Sequence, residues 1–309
     1  LVGTSRSAAR AVREAIQRCG PKLHFTGVLS EDPSLVGREF GGIPVLGGVR
    51  QLDSIIEKAD VDTVLVGLPY YHPDLPLDTL CDCRVKGILV MDIGGFYEAT
   101  TQKVLLERID PEAKISPSYC PVGRVRWALK DLLERVIAAL TLLLLLPITA
   151  VVAVLVGITS RGSVFVGDRI AGKGGRGTTV YRFRTTERTA GGEERRTRFG
   201  RWLAATHIDA LPLLWSVLCG DVAVIGPHLE RIERSAALRQ AFPVHRHREL
   251  VKPGLFGWAQ VRFPRGTSAE DEREKLRHDL YYIKNMSPLF DLLIVVATAL
   301  SVLTRRPWG

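Results

Sequence analysis

VIAALTLLLLLPITAVVAVLVGI, residues 136 to 158, is a run of 23 residues without a charge, flanked by Lys130 and Arg135 before it and Arg161 after it. A helix of that length reaches roughly 34 Å, enough for the hydrocarbon core of a bilayer. The other reading is a buried helix of a water-soluble domain, but such helices seldom carry more than about 14 apolar residues in a row. Pro147, near the middle, removes one backbone hydrogen bond and predicts a kink. Cationic flanks at both ends predict, by the positive-inside rule, that both ends stay on one side, so that the segment re-enters instead of crossing.

Outward from this run the chain divides unevenly in charge. Its 309 residues, 46% of them hydrophobic, are enough for two domains with their own cores. Residues 1 to 123 carry 13 Lys+Arg against 16 Asp+Glu and residues 124 to 309 carry 29 against 17, so net charges of −3 and +12 make up the formal +9. The basic half should face something anionic, and lipid headgroups, nucleotide diphosphates and nucleic acid all qualify. No base-stacking aromatic array or reading helix accompanies the charge, so nucleic acid is not expected as a partner. Five cysteines, Cys19, Cys81, Cys83, Cys120 and Cys219, are an odd and scattered set that suits reduced cytosolic thiols. Cys81 and Cys83 stand closer than the usual zinc pair, have no second pair, and read as helix side chains. The chain opens at LVG without Met, in what reads as the end of a strand, and is expected to be a piece of a longer protein.

In residues 1 to 118 apolar runs alternate with amphipathic stretches: Leu1 to Gly3, a helix from Ser5 to Arg18, then His24 to Leu29, Ile43 to Leu46, Val49 to Glu57, Val61 to Leu68 and Ile88 to Met91. That alternation predicts a parallel sheet with helices on its faces. Gly3 to Ala8 puts a glycine turn at a helix N-terminus, where N–H groups can hold a phosphate. Only one of the three fingerprint glycines is present, so a plain helix start, a nucleotide or nucleotide-sugar effector, and a dinucleotide all remain open.

The chemistry-bearing motifs lie after the apolar run. Asp168-Arg169-Ile170-Ala171-Gly172 leads through a glycine-rich loop, Lys173 to Gly177, into Tyr181-Arg182-Phe183-Arg184. Glycines let backbone approach an anion, and guanidinium groups bind phosphate through paired donors, so Arg169, Arg182 and Arg184 are candidate diphosphate ligands; a solvated hairpin near headgroups has the same composition. Further on, THIDALPLLWSVLCGDVAVIGPH spans residues 206 to 228 with one carboxylate, Asp209, before Leu-Pro. On its own, such an Asp is a nucleophile less often than a helix cap or turn residue. Two longer stretches follow, Val251 to Gln260 (VKPGLFGWAQ) and His278 to Asn285 (HDLYYIKN), and then an apolar segment, Leu292 to Leu303, too short to span and closed by Arg305 and Arg306. Its natural place is the headgroup layer.

Together these stretches resemble the bacterial sugar transferases, membrane phosphoglycosyl transferases that move a sugar phosphate from a UDP-sugar onto a polyprenyl phosphate. The resemblance is strong over residues 126 to 304 and looser over 1 to 118, where Thr26 to Asp32 and Gly42 to Gly47 look like the Rossmann-like accessory domain of the exopolysaccharide branch. It rests on Lys252-Pro253-Gly254 with Gly257-Trp258-Ala259-Gln260, on Asp279-Leu280-Tyr281-Tyr282-Ile283-Lys284-Asn285, and in part on Arg169, Gly172, Arg182, Phe183 and Arg184. The family motif Asp-Glu-Leu-Pro-Gln reads here Asp209-Ala210-Leu211-Pro212-Leu213. Ala204 stands for an arginine, Ser216 for an asparagine, Asp168 for a glutamine, and Gly226-Pro227-His228-Leu229 for Gly-Pro-Arg-Pro.

The resemblance implies an α/β chain. Its parts would be a Rossmann-like parallel-sheet accessory domain at 1–118, a linker and basic pre-membrane segment at 119–135, a proline-broken re-entrant membrane helix at 136–158, and a membrane-associated, mostly helical α+β transferase domain at 159–309. It implies that Asp209 attacks a UDP-sugar, that UMP leaves, and that undecaprenyl or another polyprenyl phosphate accepts the sugar 1-phosphate, in exopolysaccharide or lipid-linked glycan synthesis. His228 and Lys252 join the arginines as candidate phosphate ligands, and Asp279 and Tyr282 are candidates for the nucleotide-sugar pocket or for an interfacial anchor. Mg2+ is the expected cofactor, membrane lipids and a second copy of the chain are expected partners, and the cytoplasmic face of the bacterial inner membrane is the expected location. Losing charged contacts worth about 2 to 4 kcal/mol each would slow transfer by roughly a million-fold unless the effects are non-additive or His207, His228 or Lys252 compensate. The alternative is a catalytically degenerate member that binds nucleotide-sugar, lipid or a partner transferase without turnover.

Overall fold

The computed structural model describes residues 1–69, 72–109, 124–160, 162–188, 194–263 and 268–303. The chain falls into two units, Leu1–Asp110 and Pro111–Gly309. Residues 119–123 of the expected linker, Cys120, Arg161, Arg305 and Arg306 lie outside the described residues.

In the first unit, small apolar residues at helical spacing make the opening helix. Ala8, Ala11, Val12 and Ala15 are all buried on one face of α1 (Arg6–Cys19), and Ser5 caps it by accepting from the Ala8 N–H at 3.2 Å. β1 (Val28–Ser30) runs parallel to β3 (Ile43–Gly48), β2 (Glu39–Phe40) pairs antiparallel with β3, and β4 (Thr63–Val66) runs parallel to β5 (Leu89–Asp92). Val2 makes parallel bridges to both Leu29 and Val66. The helices between and after them are α2 (Leu52–Lys58), α3 (Leu77–Val85) and α4 (Ile93–Thr101), the last capped by the Asp92 carboxylate through Gly94 N–H at 2.8 Å. At the glycine turn the Thr4 N–H donates to Glu31 at 2.9 Å.

The second unit begins with α5 (Arg124–Thr159), one uninterrupted helix of 36 residues with Pro147 inside it. The break expected at Pro147 is therefore corrected: the chain stays helical through it. One proline removes one N–H, and the bonds on either side, including the Thr149 hydroxyl donating to the Leu145 carbonyl at 2.7 Å, keep the coil wound. Among the described residues α5 is the helix long and apolar enough by itself to cross a membrane, with Leu140, Leu143, Leu144, Val151, Val154 and Ile158 exposed.

Past α5, an antiparallel hairpin joins β6 (Phe165–Ala171) to β7 (Gly177–Phe183), placing Asp168 opposite Val180 and Val166 opposite Arg182. A second small pair, β8 (Thr186–Arg188) with β9 (Glu194–Arg196), leads to α6 (Arg198–Thr206). The chain turns by 81° where α6 meets the stretch Ile208–Cys219, and His207 absorbs the turn with φ of 56°. A single 3-10 turn, Ile208–Ala210, then feeds α7 (Leu213–Cys219). β10 (Ala223–Ile225) lies parallel to β11 (Gly254–Phe256), with α8 (Ile232–Ala241) between them in sequence. α9 (Trp258–Arg262), α10 (Ala269–Asn285) and α11 (Pro288–Leu303) complete the unit.

Both halves of α5 are built into this unit. Ala138 is buried in a cluster with Ile170, Val180, Leu213, Val217 and Val222, and Val152 and Val156 share another with Phe183 and Leu203. Near its N-terminal end a polar network is closed in as well. Lys130 Nζ lies 2.7 Å from both Glu134 and Asp291, Glu134 also accepts from the Ile225 N–H at 3.1 Å, and the Tyr282 hydroxyl is shared between Asp291 (2.7 Å) and the Ile225 carbonyl (3.1 Å). Removing the cation leaves two half-closed carboxylates facing each other. Lys130→Met is expected to cost about 3 kcal/mol or more, measured by denaturant unfolding of the protein in micelles, whereas Lys130→Arg should cost far less.

Candidate active site

Asp209 sits in the 3-10 turn directly after the bend at His207, and its side chain is only 14% exposed. The Arg182 guanidinium stands between two carboxylates, its Nη1 4.0 Å from Asp209 Oδ2 and its Nε 4.0 Å from Asp168 Oδ2. Asp168 in turn meets Arg231 at 3.2 Å. Burial raises the Asp209 carboxyl above the ordinary aspartate value, and the charges of Arg182 and His207 work against that rise. A carboxylate held by a cation at ion-pair distance, without a hydrogen bond from it, keeps lone pairs available for attack.

Beyond Arg231 lies a cavity of about 390 Å³, lined among others by His228, Arg231, Arg234, Arg248, Lys275 and Asp279. Its floor is a closed cluster of charge. Arg248 pairs with Glu230, and its Nε lies 2.7 Å from Asp279, which is 1% exposed. Arg234 joins Glu230 at 3.2 Å to Glu272 at 2.6 Å. Against the cost of burial, His245, Arg248 and Arg234 hold the Glu230 carboxyl at about 2. Burial pushes Asp279 up to about 6 against the pull of Arg248, with the Glu230 carboxylate adding to the push. The Arg248 contact is an ion pair without hydrogen-bond alignment, and Asp279 Oδ1 has no hydrogen-bond partner.

Two glycines set the place of His228. A Cβ on Gly254 would lie 2.1 Å from Gly226 N, so the ends of β10 and β11 meet only because both positions are glycine. The contact is sealed by Gly254 N–H donating to Pro227 O at 2.7 Å and Gly226 N–H donating to Phe256 O at 2.9 Å. It carries His228 to the cavity, where the imidazole is open on one side. Desolvation by the protein packed around it, followed by the Arg248 charge, lowers its pKa to about 4.

Of the residues picked out in the sequence, the fold brings Arg182 to Asp209, and His228 and Asp279 to the cavity. It sends others elsewhere. Tyr282, a pocket candidate, is corrected to a buried structural residue 1% exposed, its hydroxyl consumed by Asp291 and Ile225. Lys252 is engaged by Asp131 of α5, Arg184 donates to the Ser163 hydroxyl at 2.9 Å, and Arg169 is exposed on β6. Arg248, Glu230 and His245 were not singled out, although the run Val244-His245-Arg246-His247-Arg248-Glu249 is dense in ionisable groups. Ala210 and Leu213 belong to the apolar cluster around Ile170 and Val180.

No second acid directly follows Asp209 in the sequence. Its nearest charged neighbour is a guanidinium, position 210 carries a methyl group, and among the described residues there is no group of three His, Cys, Asp or Glu that could hold an ion.

Residues 125–305 match the family described as bacterial sugar transferase. The chain is 32% identical over 234 residues to a UDP-N-acetylgalactosamine-undecaprenyl-phosphate N-acetylgalactosaminephosphotransferase of Aeromonas hydrophila, covering 73% of this chain and 55% of that one. It is 28% identical over 285 residues to a UDP-glucose:undecaprenyl-phosphate glucose-1-phosphate transferase of Xanthomonas campestris pv. campestris, covering 88% and 59%. An exopolysaccharide production protein PSS of Rhizobium leguminosarum bv. phaseoli is 33% identical over 179 residues, 53% of this chain and 90% of that one. The chain thus spans between half and two thirds of the first two relatives.

Two outcomes follow from this geometry. In a carbon-13 carboxyl titration, Asp209 should protonate at a higher pH than an exposed aspartate, and Arg182→Leu should raise that midpoint further by removing the cation that favours the charged form. Placing a carboxylate on the apolar cluster, Ala210→Glu should lower unfolding free energy by about 2 kcal/mol in a denaturant melt.

Proposed function

Because the chain belongs to the bacterial sugar transferase family, we propose that it transfers a sugar 1-phosphate from a UDP-sugar to a polyprenyl phosphate, with Asp209 as the nucleophile. The observation that carries the reading is Asp209 itself: a largely covered carboxylate at a sharp bend, faced by Arg182 and joined through Asp168 and Arg231 to a cation-lined cavity. A carboxylate oxygen attacks the sugar-bearing phosphorus, the bond to the α-phosphate oxygen breaks, and UMP departs. A polyprenyl phosphate oxygen then attacks the same phosphorus and releases the carboxylate. Arg182 offsets the charge that builds on the phosphoryl oxygens, and Arg231, Arg234 and Lys275 hold the diphosphate. Divalent metal is not assigned a step, since the carboxylate that would share it is absent at Ala210.

The apolar surface supports a membrane seat. Leucines of α5 and α11 are exposed, and so are Trp202 and Trp215 on the two arms of the bend that carries Asp209. Trp at such positions favours the headgroup layer, where the polyprenyl phosphate is found. Both halves of α5 pack on the same charged unit, which supports a helix that embeds with its unit on one face, the cytoplasmic one.

The test is UMP release from a panel of UDP-sugars by the membrane-extracted protein with undecaprenyl phosphate, with magnesium and with EDTA. Release is expected from the native chain, with loss of at least about 10⁴-fold in Asp209→Asn and about 10²- to 10³-fold in Arg182→Leu. Equal release from Asp209→Asn would overturn the assignment of the nucleophile. No release from any of them, with nucleotide-sugar still bound, would mean that the chain binds without turnover.

A further inference from the structure

Position 228 is where a cationic side chain would serve a phosphate most simply, and this chain has an imidazole there. What that ring offers to a ligand depends on which nitrogen carries the proton. The geometry answers this through a neighbour on another element. Gln260, at the third position of α9, reaches back to the first turn, where its Oε1 accepts from the Gly257 N–H at 2.8 Å. A backbone N–H can only donate, so the oxygen of the Gln260 amide must face Gly257. Its NH₂ group then faces His228 Nδ1, 2.8 Å away. An amide NH₂ can only donate as well, so Nδ1 must be the unprotonated, accepting nitrogen.

We propose that Gln260 is a positioning residue that locks His228 in the Nε2–H tautomer, and that this neutral N–H is the donor to a diphosphate oxygen of the nucleotide in the cavity. The ligand half rests on the function proposed above; the tautomer half stands on this chain alone. Three features support it. His228 and Gln260 both line the cavity, and Nδ1 is already occupied, which leaves Nε2 as the nitrogen free to meet a ligand. The ring is also fixed from behind, since its own carbonyl accepts from Arg248 Nη2 at 2.7 Å and its strand end is clamped by the Gly226–Gly254 contact.

The charges around the ring point the same way. Arg248, Arg182 and Lys275 disfavour a further positive charge and Glu230 favours one, while Arg231, Arg234, Glu272 and Asp279 also line the cavity. Desolvation, followed by the Arg248 charge, lowers the pKa of the ring, which favours its neutral form. Had it been an arginine, the cavity would gain another fixed charge beside Arg231, Arg234, Arg248 and Lys275. A neutral N–H instead gives a directed donor whose strength does not change with pH between about 5 and 8.

The experiment uses the full chain in micelles with carbon-13- and nitrogen-15-labelled histidine, and UDP as the probe. The chain has seven histidines, and the His228 resonances are those that vanish in His228→Gln. Ligand-free native protein at pH 7 is expected to show the Nε2–H tautomer. Gln260→Glu keeps an acceptor for Gly257 but presents a second acceptor to the ring, so His228 should switch to the Nδ1–H tautomer or become imidazolium. UDP affinity, flat from pH 6 to 8 in the native chain, should then become pH-dependent. His228→Leu should weaken UDP about ten- to a hundredfold, and His228→Gln, which keeps an N–H near the same place, should restore most of it.

An Nδ1–H or charged His228 in the native protein would sink the lock. Unchanged UDP binding in His228→Leu, with loss in Arg234→Leu, would sink the contact and leave the cavity as the nucleotide site. Native protein that shows the expected tautomer but binds no UDP would remove both the donor role and the cavity's assignment.

Discussion

Glu134 is the point on which the second unit turns. It lies on the long apolar helix, nearly closed off from solvent, and accepts at once from Lys130 and from the backbone of Ile225. A buried ion pair of this kind adds little net stability over a well-packed apolar alternative, because desolvation of the charges offsets their attraction. What it supplies is register. The bond to Ile225 sets the height of β10 along α5, the Lys130–Asp291 arm sets α11 against the same turn, and Tyr282 brings α10 into the same arrangement. A slip by one helical turn would strand a carboxylate in an apolar wall, so the alternatives are costly even where the native contact is modest.

The candidate site inherits its precision from that register. β10 runs into Gly226, whose backbone is pressed against Gly254 more tightly than any side chain would allow, and His228 follows two residues later. On the other side, the β6–β7 hairpin holds Asp168 and Arg182 on one face, since residues two apart on a strand point the same way and opposed positions share a face. Thus the cation that faces Asp209 is mounted on a strand, and the carboxylate is mounted on a turn between two helices. Such mounting suits a reaction in which charge must be met where it develops, without reorganisation at that moment.

Much of this architecture could be read from the chain itself. The alternating strands of the first unit and the helix near Ser5 follow from local patterns, the long apolar run from its length, and Asp209 from the resemblance of the motif around it. The rest failed for identifiable reasons. Pro147 reads as a break because the lost N–H is local, while the packing of Val152 and Val156 that holds the far half in line is not. Tyr282 looks like a pocket residue beside Asp279 because positions three apart on a helix are neighbours, but their partners differ: Asp279 meets Arg248 and Tyr282 meets Asp291. α3 shows in the sequence only through Cys81 and Cys83, since it has no apolar periodicity, and α4 is hidden by the two glycines in its first turn. The cluster of Glu230, His245, Arg248 and Asp279 joins residues far apart in sequence, and only tertiary structure assembles it.

The way α5 is built into the second unit also sets an order of events during synthesis. Residues 124–159 leave the ribosome before any of the partners that bury Ala138, Val152 and Val156, since Ile170, Phe183, Leu203 and Val217 all come later. For that interval the helix carries its leucines with nothing of its own chain to cover them. An apolar stretch of that length is open to aggregation until those later residues arrive, and the hairpin, the bend at His207 and the paired glycines are all made after it.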